Sequence, residues 1–155
     1  MIGREELGFK FNNIFKNIDS NKWHYLHKNS IANFIFYLDS INDESRRKEI
    51  FLVINDYLDY LNNLGEEVLN INISLSRYLF DNYINRIQDI YVKELGFIYI
   101  PSKRTIAFIL PFFIIFLYFV DFRIIAISIS VIIICIYAVF VSYKYSKNKL
   151  YGFDY

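Results

Sequence analysis

His24 and His27 are the two imidazoles of this chain. Three apart on a helix they would share a face, where two metal ligands could sit. A metal site needs further donors, and no acid or histidine stands at a matching spacing nearby. Trp23, Tyr25 and Leu26 surround the pair instead, so the reading is of histidines partly buried among aromatic rings. The carboxylate pairs Asp56/Asp59 and Glu66-Glu67 are what solvated helix faces and helix starts ordinarily produce. Neither a phosphate-cradling glycine loop nor a nucleophile elbow is present. The single cysteine, Cys135, lies inside an apolar run, which excludes an intramolecular disulfide and a zinc cluster. The expectation is therefore a protein with no catalytic residues, no cofactor and no metal, one that does not act as an enzyme.

One basic cluster, Arg46-Arg47-Lys48, remains from the search for chemistry. It could grip an acidic partner or a nucleotide, or form an exposed first helical turn. With Phe36 and Tyr37 it makes the candidate interaction surface of the amino-terminal half. Residues 1–102 hold 11 Lys or Arg and 14 Asp or Glu, an excess of three negative charges. A nucleic-acid-binding domain carries the opposite balance, so no nucleic acid is expected as partner. The sequon Asn72-Ile73-Ser74 has no role in a cytosolic segment.

The element that positions all of this is the stretch from Thr105 to Val141. Sixteen residues, TIAFILPFFIIFLYFV, precede Asp121-Phe122-Arg123, and eighteen more, IIAISISVIIICIYAVFV, follow. At ~1.5 Å per helical residue the two runs give about 24 and 27 Å, slightly short of the ~30 Å hydrocarbon core. They predict a hairpin of two membrane spans, about 103–120 and 124–143, within a unit covering 101–145. Lys103, Arg104, Asp121, Arg123, Lys144 and Lys147 flank the spans as interface anchors, and the basic residues touch anionic headgroups. The balance of positive charge puts both termini in the cytosol. No apolar run near Met1 suggests a cleavable signal.

Within the second span, Ser128, Val131, Cys135, Ala138 and Ser142 recur at three and four, a seam of small residues that lets a helix approach closely. The seam receives either the first span of the same molecule or other copies, as packing surface or pore lining. No charge lies inside either span, which disfavours a proton relay or voltage sensor.

Residues 1–100 read as a cytosolic bundle of about four helices, so the fold class is all-α. The first helix, Arg4 to Ile18, carries an apolar stripe of Leu7, Phe11, Ile14, Phe15 and Ile18; it packs in the bundle or lies on the membrane surface. The second runs from Asn21 or Lys22 toward Ile41. Its Trp23, Leu26, Ile31, Phe34, Ile35 and Leu38 face a core, while Phe36 and Tyr37 stand on another side, so it wants cover twice. Asp43 caps a third helix that ends near Gly65. The fourth starts between Glu66 and Ser74, where Asn70 to Ser74 alternates like a short strand, and ends before Gly96. Phe97 to Pro101 link bundle to membrane, with Ile100 extended before proline, and 146–155 is a basic, frayed cytosolic tail.

Two functions follow from this layout. One is a membrane effector that self-assembles through bundle and hairpin into a pore-like oligomer. The other is a membrane-anchored binding module, such as an immunity protein, adaptor or accessory subunit. The partners are membrane lipid and either a homo-oligomer or a protein held by the bundle. In the order of its parts, though in no motif, the chain is similar to small two-span effectors of bacterial antiviral systems. That resemblance implies a bacterial cytoplasmic membrane and a role in defence or toxicity.

Overall fold

The computed structural model describes residues 3–65, 71–101, 111 and 123–152. Most of these are helical. The first helix, α1 (Arg4–Lys16), is followed by a 3-10 turn at Ser20–Lys22, then α2 (Lys28–Tyr37), which ends in a second 3-10 turn at Leu38–Ser40. Next come α3 (Glu44–Leu64), α4 (Ile73–Leu79), a π turn at Phe80–Ile84 and α5 (Asn85–Leu95). Among the described residues three further elements follow: β1 (Ile98–Ile100), α6 (Arg123–Ser146) and β2 (Leu150–Gly152).

Local chemistry sets the boundaries. The Asp43 carboxylate accepts from the backbone N–H groups of Ser45 and Arg46, satisfying orphan donors of the 21-residue α3. Asn72 does the same for α4, accepting from Leu75 N–H at 2.9 Å. That cap turns the alternating stretch ending at Ser74 into a helix start, where the pattern alone suggested a strand. Since α4, the π turn and α5 follow one another without a break and join through right-handed helical residues, they act as one rod, and the described part of the bundle has four rods. Gly96, left-handed at φ +67°, ends α5.

The second helix starts at Lys28, later than its apolar pattern predicts. His27 is left-handed at φ +51° and fully buried. Its Nε2 lies 2.8 Å from the Ser76 carbonyl oxygen and 3.2 Å from Ser76 Oγ. Tertiary bonding to α4 thus holds a conformation that local preference would avoid.

Each rod contributes one stripe to a single core. Leu7, Phe11 and Phe15 come from α1, Ile31, Phe34 and Ile35 from α2, and Ile50, Ile54, Tyr57 and Leu58 from α3. Fully burying such a side chain is worth about 1.5–3 kcal/mol. The rods α1 and α3 run parallel, because Gly3 lies beside Phe51 while Lys10 Nζ reaches Asn55 Oδ1 at 2.7 Å and Asp59 Oδ1 at 2.6 Å.

The frayed tail expected from residue 146 onward is corrected at Leu150–Gly152. These residues are buried and pair in parallel with β1, Ile98 opposite Leu150 and Ile100 opposite Gly152. The turn into β2 uses Asn148 at φ +54°, one of the few non-glycine residues that tolerate it, with Lys149 N–H donating to Lys144 O at 3.0 Å.

Ile127–Ser146 in α6 is long and apolar enough to cross a membrane, and none of that stretch is buried. Among the described residues it is the one such helix. The first span, 103–120, falls outside the described residues except at position 111, as do Lys103, Arg104, Asp121 and Glu66-Glu67.

Candidate interaction groove

The end of the bundle at which α6 arrives is built from five chain segments. The Lys144 ammonium donates to the Gly96 carbonyl at 2.8 Å and the Lys149 ammonium to the Leu95 carbonyl at 2.8 Å. Both cations therefore neutralise the carbonyl end of α5, where the helix dipole is negative. The Tyr37 hydroxyl donates to the Lys147 carbonyl, and the Lys149 ammonium lies over the Tyr37 ring. Arg46 bridges Glu94 and Asp43, joining the start of α3 to the end of α5. Lys144 is thus half-buried against the bundle, beyond its expected place as a headgroup anchor.

Beside this end, α1, α2 and α3 leave a groove of about 1440 Å³. Its floor is apolar, with Phe11, Ile35, Leu38 and Phe51 lining it, and Phe36 and Leu52 stand half-exposed at its edge. Gly8 opens it further, since nothing lies within 4 Å of where its Cβ would be. The rim alternates in charge: Arg4, Arg47 and Lys48 against Glu5, Asp39 and Glu44. The Arg4 guanidinium sits over the Phe36 ring at 4.8 Å. Interspersed signs around an apolar floor provide no concentrated positive field.

The five residues of the expected interaction surface divide between two tasks. Phe36, Arg47 and Lys48 line the groove, while Tyr37 and Arg46 are spent on contacts within the chain. The two histidines part company: His24 is exposed and stacks on Tyr25, and His27 is buried against Ser76. Among the described residues, no group of three or more His, Cys, Asp or Glu is placed to hold a metal. On α6, Val131, Cys135, Ala138 and Ser142 are exposed.

Among the described residues, burial acts on the hydroxyls of several tyrosines. Burial raises the hydroxyls of Tyr57 and Tyr91 far above the ordinary range, helped by Tyr83 for the first and by the Asp39 charge for the second. Tyr91 donates to the Phe34 carbonyl at 2.6 Å and Tyr57 to the Leu26 carbonyl. Both stay protonated at neutral pH; Tyr91 ties α5 to α2, and Tyr57 ties α3 to the turn before α2.

Sequence reasoning missed Ser30, Asn33, Leu150 and Tyr151. The Asn33 amide donates to the Leu150 carbonyl at 2.9 Å, and the Gly152 N–H donates to Ser30 Oγ at 3.2 Å. The available signal was the return to apolar residues, Leu-Tyr-Gly-Phe, after Asn148. No family model matches the chain, and neither a curated protein nor a solved structure matches it.

Proposed function

We propose that this protein is a two-span integral membrane protein whose bundle, held against the bilayer, binds another protein through the groove between α1, α2 and α3, and does no catalysis. The observation that carries the reading is the pairing of β1 with β2. It brings both ends of the apolar segment to one end of the bundle. The 24 residues of α6 rise about 36 Å away from that end. The sixteen residues 105–120 have the composition of a second crossing, about 24 Å long if helical. Both ends of the bundle chain then face one compartment, the cytosol by the positive-inside tendency, in a bacterial cytoplasmic membrane.

Binding of a separate partner ranks ahead of self-assembly because of α2. Of its second apolar side, Tyr37 is covered from within by Phe97 and the α6 turn, while Phe36 stays half-exposed and lines the groove. Self-assembly into an effector keeps one specific support, the run of exposed apolar residues from Val131 to Phe140 on α6, which other copies could share with lipid.

One experiment separates the two. A photo-crosslinking amino acid placed at Leu52 is expected to yield an adduct with a different polypeptide, lost on Phe36→Asp and absent when the probe stands at exposed Tyr78. Adducts between copies of this chain would favour the effector. No adduct at Leu52 in native membranes would refute binding through the groove. For the anchoring, single cysteines in a Cys135→Ser background are read with an impermeant maleimide. Positions 20 and 147 are expected on one side and 121 on the other.

A further inference from the structure

We infer that β2 is a clasp that completes the bundle core only after the apolar segment has gone out and come back, so that folding of the bundle is conditional on correct insertion. The inference rests on the two-crossing reading above. Parallel strands cannot be joined by a tight turn and need a long crossover connection. Here the crossover between β1 and β2 is the whole apolar segment. On that reading, going out and coming back is what delivers Leu150–Gly152 to the face of α2.

The bundle depends on that delivery. Tyr151 is 5% exposed and its ring lies 5.8 Å from Phe34 and 5.5 Å from Tyr99. Ser30 and Asn33 are polar side chains buried in α2, and the β2 backbone partners both. The fit is closed at Gly152, where an added Cβ would stand 2.2 Å from the Ile100 carbonyl oxygen. A chain that crossed once would leave β2 on the opposite side of the bilayer. Phe34 would then lose a ring neighbour, Ser30 and Asn33 would lose these buried partners, and β1 would present an open edge. Residues before β1 leave the ribosome first, yet their core closes last. A three-residue strand pair has little hold alone, so the clasp works only when side-chain and backbone contacts to α2 engage together.

The test uses the full chain in membrane vesicles, with two readouts: the protease half-life of the bundle, and maleimide labelling of Cys at position 20 or 147. Tyr151→Ala and Gly152→Val are expected to shorten the half-life about tenfold or more with labelling unchanged. Tyr145→Ala, exposed beside the clasp, stays within about twofold. Deleting 105–120, which leaves one crossing, is expected to match the Gly152→Val loss. Should Gly152→Val fail to accumulate, Gly152→Ala is read by hydrogen exchange at Ile98, whose N–H donates to Lys149 O at 3.0 Å; about tenfold lost protection is expected. Native resistance in Tyr151→Ala, in the deletion, or native protection at Ile98, overturns the clasp. Failure of the two-crossing reading has a different signature, wild-type positions 20 and 147 labelled from opposite sides.

Discussion

The helices α3 and α6 are built from much the same apolar residues and are used in opposite ways. In α3, Ile50, Val53, Ile54, Tyr57, Leu58 and Leu61 occupy one buried face, and Glu49, Asp56 and Asn63 meet water on the other. In α6, successive residues Ile132, Ile133 and Ile134 are 58–60% exposed. An isoleucine in α3 is held by neighbours the chain itself supplies, while those at 132–134 of α6 stand exposed on a helix long and apolar enough to cross a membrane. Soluble monomers rarely expose apolar patches above a few hundred Å². Side-chain type thus says little about where a helix belongs, whereas the periodicity of the polar residues between says nearly everything.

Substitutions that touch one region and spare the other test this contrast. Phe34→Ala, emptying a fully buried site ringed by Tyr91, Phe97 and Tyr151, is expected to destabilise the bundle by about 3–5 kcal/mol. Denaturant unfolding followed by tyrosine fluorescence would show it, with membrane partition unchanged. Ile133→Asp reverses the pattern. A charge at the middle of a span costs about 2.5–3.5 kcal/mol on insertion, so fewer chains should complete the second crossing and an impermeant maleimide should find Cys at position 147 on the opposite side in part of the population. Unchanged labelling at 147 would argue against α6 as a span.

Alkaline pH discriminates next. The folded hydroxyls of Tyr57 and Tyr91 titrate well above the ordinary tyrosine value of ~10. Their contribution is fully present below ~10 and is lost as pH climbs from there toward the folded values, by up to about 1.4 kcal/mol per pH unit for each tyrosine. The bundle should melt at progressively lower temperature above ~pH 10, and Tyr91→Phe should flatten that dependence. The smallest effect is expected from Asp43→Ala, which removes the α3 cap at a cost of about 1 kcal/mol. Circular dichroism melts of the bundle should register it, with α6 unaffected.

Legibility from sequence followed range. The helices α1 and α3, the Asp43 cap, the Gly96 stop and the apolar character of α6 were all readable, because each is decided by neighbours within a few positions. The late start of α2 was not, since the pattern of Trp23 and Leu26 is helical and only the Ser76 contact shows why His27 turns left-handed. Of the expected interaction surface, Phe36, Arg47 and Lys48 line the groove, whereas Tyr37 and Arg46 make contacts inside the chain that no short-range pattern shows. Their partners, Lys147 and Glu94, are 110 and 48 residues away.

Periodicity and composition by themselves determined that this chain is mostly helical and carries an apolar helix long enough to cross a bilayer. These are local properties, fixed by hydrogen bonding every fourth residue and by transfer of side chains out of water. Tertiary structure alone decided that three residues after α6 belong to the core, that Gly152 admits no side chain, and which faces of α1, α2 and α3 stay open as a groove. Such outcomes depend on contacts between segments separated by the whole length of the apolar stretch, and no short-range pattern encodes which distant surface a strand will meet.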